Sequence, residues 1–231
     1  MSYPVSFEAD YVEQRNRLTA FFRVILAIPL FLVLFVYAFV ATIAVVIAWF
    51  AIVITARCPE GCYDFIAGYV RFIARVTAYA ALLCDPYAPV FGSADDAYPV
   101  QMDFAGPLEH YSRLKTFFRL ILAIPLLVVR YVMGLLLEVG AVAAWFVIVV
   151  TGKMPRGLFD LMVLANSYTA RSDAYLLLLT ETYPPFQDEQ TRAAGVPNSP
   201  APTDAPSPAT PPAPPTPPPS PPTPPASPPG S

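Results

Sequence analysis

Asp64, Arg71, Arg75 and Tyr79 fall at helical spacing, and Asp160, Arg171 and Tyr175 repeat the pattern 96 residues later. Guanidinium groups hold phosphates and carboxylates through paired N–H donors. Arg71, Arg75 and Arg171, with Arg23 and Arg119 beside the apolar runs upstream, are therefore the candidate contacts for an anionic lipid headgroup. The competing reading is a solvated stripe with ordinary interfacial arginines, and it is preferred because nothing converges on them. Other chemistry finds less footing. His110 is the only histidine and has no nucleophile or carboxylate constellation around it in the sequence, so it is not read as a general base. Cys58 and Cys62 are spaced C-x3-C, but Met154 and Leu158 replace them in the second copy, which argues against a metal site intrinsic to the unit. Three cysteines make no disulfide framework. No glycine-rich phosphate loop, HExxH helix or GxSxG elbow is present. The expectation is a protein with no catalytic residue, no cofactor and no metal.

The elements that must position these residues are written twice. RLTAFFRVILAIP at Arg17 to Pro29 returns as RLKTFFRLILAIP at Arg113 to Pro125. Of the 231 residues 55% are hydrophobic and 13% charged, a balance that a soluble domain of this size cannot bury, so lipid is expected to solvate part of the chain. The net charge of −3 points to no nucleic-acid partner. MSYPVSFEADY lacks the basic and apolar regions of a cleaved signal, leaving the first apolar run to serve as its own insertion signal.

Between Arg23 and Arg57 stand 33 residues without a charge. As one helix they would measure roughly 50 Å against about 30 Å of hydrocarbon. Two spans in a tight hairpin, Leu18 to Tyr37 and Val40 to Ala56, use that length better, with a turn at Ala38 to Thr42. In the second copy Glu138 then lies wet at the hairpin tip and Arg130 snorkels towards it. This arrangement puts Arg17, Arg23, Arg57, Arg113, Arg119, Lys153 and Arg156 on one side, the cytoplasmic one by the positive-inside rule, and makes the repeats parallel. Whether each repeat has two spans or one stays open.

Pro59 and Pro155 stop the apolar runs, and the helices that follow, with their polar stripes, read as amphipathic and lying on the cytoplasmic face. Tyr3 to Phe7 and Tyr98 to Phe104 have the alternation of strands. With DPYAPV and ETYPPF they are expected to form a small sheet or cap. From Pro197 onward 18 of 35 residues are proline, the composition of a disordered tether. The organisation is thus residues 1–92 as a first membrane repeat, 93–187 as a second, and 188–231 as a disordered Pro-rich tail. The fold class is an all-α membrane protein with minor β, each repeat a transmembrane helical hairpin plus an interfacial helix.

RLTAFFRVILAIP and its echo, AWFAIVITARCPEGCYDF with AWFVIVVTGKMPRGLFDL, and ARVTAYAALLCDPYAP with ARSDAYLLLLTETYPPF carry a resemblance. With them the chain resembles an uncharacterised bacterial membrane family, domain of unknown function 4389, in two tandem copies. The resemblance implies an integral membrane protein and no activity, ligand or catalytic residue. The functional expectation is a noncatalytic scaffold or accessory protein of the cell membrane, multi-pass with both termini cytoplasmic. Its basic face would meet membrane lipids, its tail a protein partner, and it could form a homo-oligomer. The alternative is a small transporter or channel component acting as an oligomer.

Overall fold

The computed structural model describes residues 3–89 and 98–185. The Pro-rich tail and the boundary between residues 92 and 93 lie outside them. The chain runs β1 (Val5–Ala9), α1 (Arg17–Phe21), α2 (Arg23–Thr55), α3 (Glu60–Ala80), β2 (Val100–Phe104), α4 (Arg113–Phe117), α5 (Arg119–Thr151) and α6 (Arg156–Leu176). The Asn16 carboxamide accepts from the Leu18 and Thr19 amides to start α1, and Ser112 accepts from Lys115 to start α4. Phe22 and Phe118 interrupt the helix for one residue only, and α2 and α5 then continue for 33 residues each. Both are long and apolar enough to cross a membrane.

Neither long helix folds into the expected hairpin. Ala38 to Thr42 lies inside α2, and Thr42 Oγ1 donates to the Ala38 carbonyl one turn earlier at 2.8 Å. With no glycine or proline to open the backbone there, local propensity carries the helix through. Arg130 and Glu138 accordingly stand on the body of α5 and not at a tip. The chain turns only where a left-handed residue and a proline follow: Ala56 (φ 60) with Pro59, and Gly152 (φ 75) with Pro155.

One face of each long helix is covered along its whole length. On α2 the buried positions are Arg23, Ala27, Leu30, Ala41, Ala48 and Ile52, bridged by the half-buried Leu34, Tyr37 and Ala44. On α5 the same stripe reads Arg119, Ala123, Leu126, Arg130, Met133, Leu137, Gly140, Ala144 and Ile148. Steps of three and four keep it on one side, and its small residues admit a neighbouring backbone closely. A Cβ on Gly140 would sit 2.8 Å from Met162 Cγ of α6.

The stripe packs on α3 in the first repeat and α6 in the second. Tyr37 of α2 touches the rings of Phe65, Tyr69 and Phe72, while Arg23 at its start lies over Tyr79 at the end of α3, so the pair is antiparallel. These shorter helices, expected to be interfacial and to pack against the apolar spans, do pack against the long helices. They form the centre of the molecule, α3 against α6, with Asn166 Nδ2 donating to the Ala74 carbonyl at 3.3 Å. Their polar stripes turn towards the sheet. β1 and β2 pair antiparallel, with Phe7 opposite Met102 at the middle, and Arg71 Nε donates to the Met102 carbonyl at 2.9 Å. The sheet joins the two N-terminal strands. The closing segments meet the residues just before the strands, Tyr3 OH donating to the Thr182 carbonyl, and Tyr98 OH donating to the Pro86 carbonyl and lying 3.1 Å from Cys84 Sγ.

The repeats are interlocked. The Arg15 amide donates to the Gly152 carbonyl at the end of α5, and the Tyr111 amide donates to the Ala56 carbonyl at the end of α2. Each long helix therefore begins where the other ends, and α2 and α5 run antiparallel. The parallel arrangement of repeats is overturned by these ties, as is the single basic side. Arg17, Arg23, Lys153 and Arg156 gather at one end of the bundle, and Arg57, Arg113 and Arg119 at the other. An approximate two-fold axis passes between Phe7 and Met102, between α3 and α6, and between the middles of α2 and α5.

Candidate functional site

The five arginines taken as headgroup contacts fall into two structural roles. Arg23 donates through Nη2 to the Cys84 carbonyl at 2.8 Å and to Asp85 Oδ1 at 3.0 Å, with its guanidinium 4.1 Å from the Tyr79 ring centre. Arg119 repeats this on the Thr180 carbonyl and the Tyr175 ring. Each thus clamps the segment that follows the next helix. Arg75 donates to the Val100 carbonyl and lies over Tyr98, Arg71 donates to Met102 and faces Phe104, and Arg171 lies over Tyr3, so these three hold the sheet on α3 and α6. Arg23, Arg75, Arg119 and Arg171 are buried and Arg71 is half-buried. They do not converge on one site.

Two of them nevertheless wall a cavity. Between α2 and α5 the structure holds two apolar pockets at equivalent places. One, about 260 Å³, is lined by Arg23, Val24, Ala141, Val142 and Trp145 among others, and the second, about 220 Å³, by Val45, Trp49, Thr116, Arg119 and Ala123 among others. Trp145 stacks on Phe21 at one, and Trp49 stacks on Phe117 at the other while donating to the Thr116 carbonyl. Arg23 Nε, Arg119 Nε and Thr116 Oγ1 are buried with no hydrogen-bond partner among the described residues. A buried donor left unpaired costs about 1–3 kcal/mol, so an acceptor entering either pocket would be rewarded.

A third cavity lies where α3 of the first repeat meets α5 and α6 of the second, and its ionisable residues all come from the second. It measures about 200 Å³ and is lined by Thr77, Arg130, Glu138, Asn166, Thr169 and Asp173 with apolar neighbours. Arg130 Nε donates to Asp173 Oδ1 at 2.7 Å, the carboxylate buried and the guanidinium partly open. In the first repeat Leu34, Thr42 and Thr77 take the places of Arg130, Glu138 and Asp173. That departure from the repeat, three ionisable residues gained in one copy, was visible in the sequence. The hairpin expectation hid it by sending two of them to a tip.

Cys58 stands in the turn before α3 and Cys62 in the first turn of that helix. Burial, with a smaller contribution from Cys62, pushes the Cys58 thiol up from 9.0 to about 11. The folded chain thus favours the neutral thiol, and an unfolded chain ionises first as pH rises. Stability should fall between about pH 9 and about 11, and Cys58→Ala should flatten that part of the curve of thermal midpoint against pH. Tyr63, pushed to about 12 mainly by burial, contributes in the same direction in both proteins, slightly less in Cys58→Ala because Cys58 is among the causes of its shift. His110 lies exposed in the link before α4, its Nδ1 at 2.7 Å from the Glu109 carbonyl.

Comparison with curated proteins and with solved structures gives no match. A family model does match, twice, over residues 17–91 and 113–187, and its two copies each contain one long apolar helix, the clamp arginine at its start and the central helix that follows. The chain belongs to the family described as Domain of unknown function (DUF4389).

Proposed function

We propose that the protein is a noncatalytic, membrane-associated scaffold or accessory protein that holds anionic lipid in its paired pockets. The observation that carries this reading is that Arg23 and Arg119, each with an Nε that has no partner among the described residues, each line an apolar pocket at the same place in their repeats. An apolar channel ending at a buried cationic donor suits an amphiphile with an acidic end, and Trp49 and Trp145 supply flat apolar walls for its chain. Arg71, Arg75 and Arg171, bound to the sheet, support the scaffold instead of the lipid. The role of the Pro-rich tail as a tether to a protein partner, and self-association, belong to the same proposal.

Native mass spectrometry of the purified chain tests it. Up to two acidic lipid molecules should remain bound, and Ala141→Trp or Val45→Trp, each filling one pocket, should leave at most one. Protein free of lipid, or lipid retained in the doubly filled variant, would count against the reading. The polar cleft favours a second reading, transport. Ionisable groups halfway along a long apolar helix are costly and usually serve a pathway. If that reading holds, ion or proton flux from vesicles containing the protein should appear and be abolished by Asp173→Asn.

A further inference from the structure

We infer that the two long helices lie in the plane of the membrane, embedded together in one leaflet, and do not cross it. The inference rests on the membrane association proposed above and concerns how the molecule is seated.

The two-fold axis is perpendicular to α2 and α5 and leaves the molecule through the sheet. Tyr37, near the middle of α2, packs on the same turns of α3 that send Arg71 to the Met102 carbonyl. The sheet is therefore level with the midpoint of the long helices. If those helices crossed a bilayer, the sheet would sit at its centre. Its outer face carries Ser6, Glu8, Gln101 and Asp103, with both carboxylates exposed, and both of its strands are edges. Charged side chains at that depth cost about 2.5–3.5 kcal/mol each on insertion scales, and an open sheet edge in hydrocarbon leaves backbone groups without partners.

Length and charge agree. A 33-residue helix measures about 50 Å and would need a tilt of about 50° to fit about 30 Å of hydrocarbon, beyond the usual 0–40°. Exposed basic residues stand at both ends of the bundle, Arg17 and Lys153 at one and Arg57, Arg113 and Lys115 at the other, where a crossing protein concentrates them on one side. In the plane of a leaflet all of these observations fit one arrangement. The layer of α2 and α5, about 10–12 Å thick, matches a leaflet of about 15 Å, presenting Val24, Phe35, Phe39, Tyr131 and Val150 to acyl chains. The central helices lie at the headgroups, the sheet faces water, and both basic ends meet the same anionic surface. The expectation of a multi-pass protein gives way to one that sits on a single side.

The unmodified chain contains its own reporters, since Lys115 and Lys153 are its only lysines and occupy opposite ends. Intact spheroplasts and inverted vesicles carrying the protein are treated with an impermeant amine reagent, and modification is read by peptide mass spectrometry. Both lysines should react in one preparation and neither in the other. Reaction of one lysine in each preparation would overturn the inference while leaving membrane association intact. A second measurement uses Val24→Cys, Phe39→Cys and Ile54→Cys, each with a fluorescent probe, in phosphatidylcholine–phosphatidylglycerol vesicles carrying quenchers at defined acyl depths. Equal depth at the three sites is expected. A deep Phe39 probe between two shallow ones would overturn the inference, and no quenching at any site would overturn membrane association as well.

Discussion

Arg23→Met should destabilise the folded chain by about 3 kcal/mol, the low end of the loss when one partner of a buried charge pair is removed. Methionine keeps much of the apolar stem, so the loss reports the guanidinium and not a cavity. Without it the Cys84 carbonyl loses its donor, the Tyr79 ring loses the cation over its face, and Asp85 keeps Arg15, at 3.4 Å, as its cationic partner among the described residues. Arg23→Lys should recover part of the loss, because one ammonium cannot span the carbonyl and carboxylate that the planar fork reaches together. Arg119→Met is the internal replicate, acting on the Thr180 carbonyl and Tyr175 at the other end of the bundle. The two sites share no partner, so the double variant should lose the sum within about 0.5 kcal/mol. Denaturant unfolding in detergent, followed by tryptophan emission, measures all four. An unchanged midpoint for either single methionine variant would remove the clamp from the account of the fold.

These clamps show where sequence reasoning succeeds and stops. The recurrence of RLTAFFR made Arg23 and Arg119 equivalent before any coordinates, and the strand alternation of Tyr3 to Phe7 and Tyr98 to Phe104 marked both halves of the sheet. The partners of the arginines were out of reach, because a backbone carbonyl such as that of Cys84 or Thr180 leaves no mark on residue type. The hairpin expectation failed for a physical reason too. Bilayer thickness was used to cut a 33-residue run, although nothing at Ala38 to Thr42 breaks a helix, and a helix lying in the membrane plane feels no such limit. The interlocked repeats could not be read from the 96-residue offset, since a two-fold axis along or across the helices yields the same repeat. Contacts between distant residues, such as the backbone bonds from Arg15 to Gly152 and from Tyr111 to Ala56, distinguish the two. One local signal was available and unused: alanine and glycine recur along α2 and α5 in steps of three and four, among residues otherwise large and apolar.

That stripe carries the second large effect. Ala48→Leu and Ala144→Leu should each destabilise the fold by about 1–3 kcal/mol, the cost of forcing added methylenes into a closed contact. Both alanines are fully buried, at equivalent places in the repeats. Intrinsic helix propensity barely distinguishes Ala from Leu, and a lipid-facing site would welcome the larger side chain, so the sign of the effect reports packing alone. Val139→Leu and Val150→Leu, on exposed positions of α5, should change stability by less than about 0.5 kcal/mol. The contrast matters because hydropathy is nearly uniform around α2. If lipid solvated every face, all four variants would behave alike. If each long helix instead buries one stripe, α2 against α3 and α5 against α6, only the alanine positions resist enlargement. Thermal midpoints of the four variants in the same detergent decide between these, and tolerance at Ala48 and Ala144 would detach the long helices from the core described here.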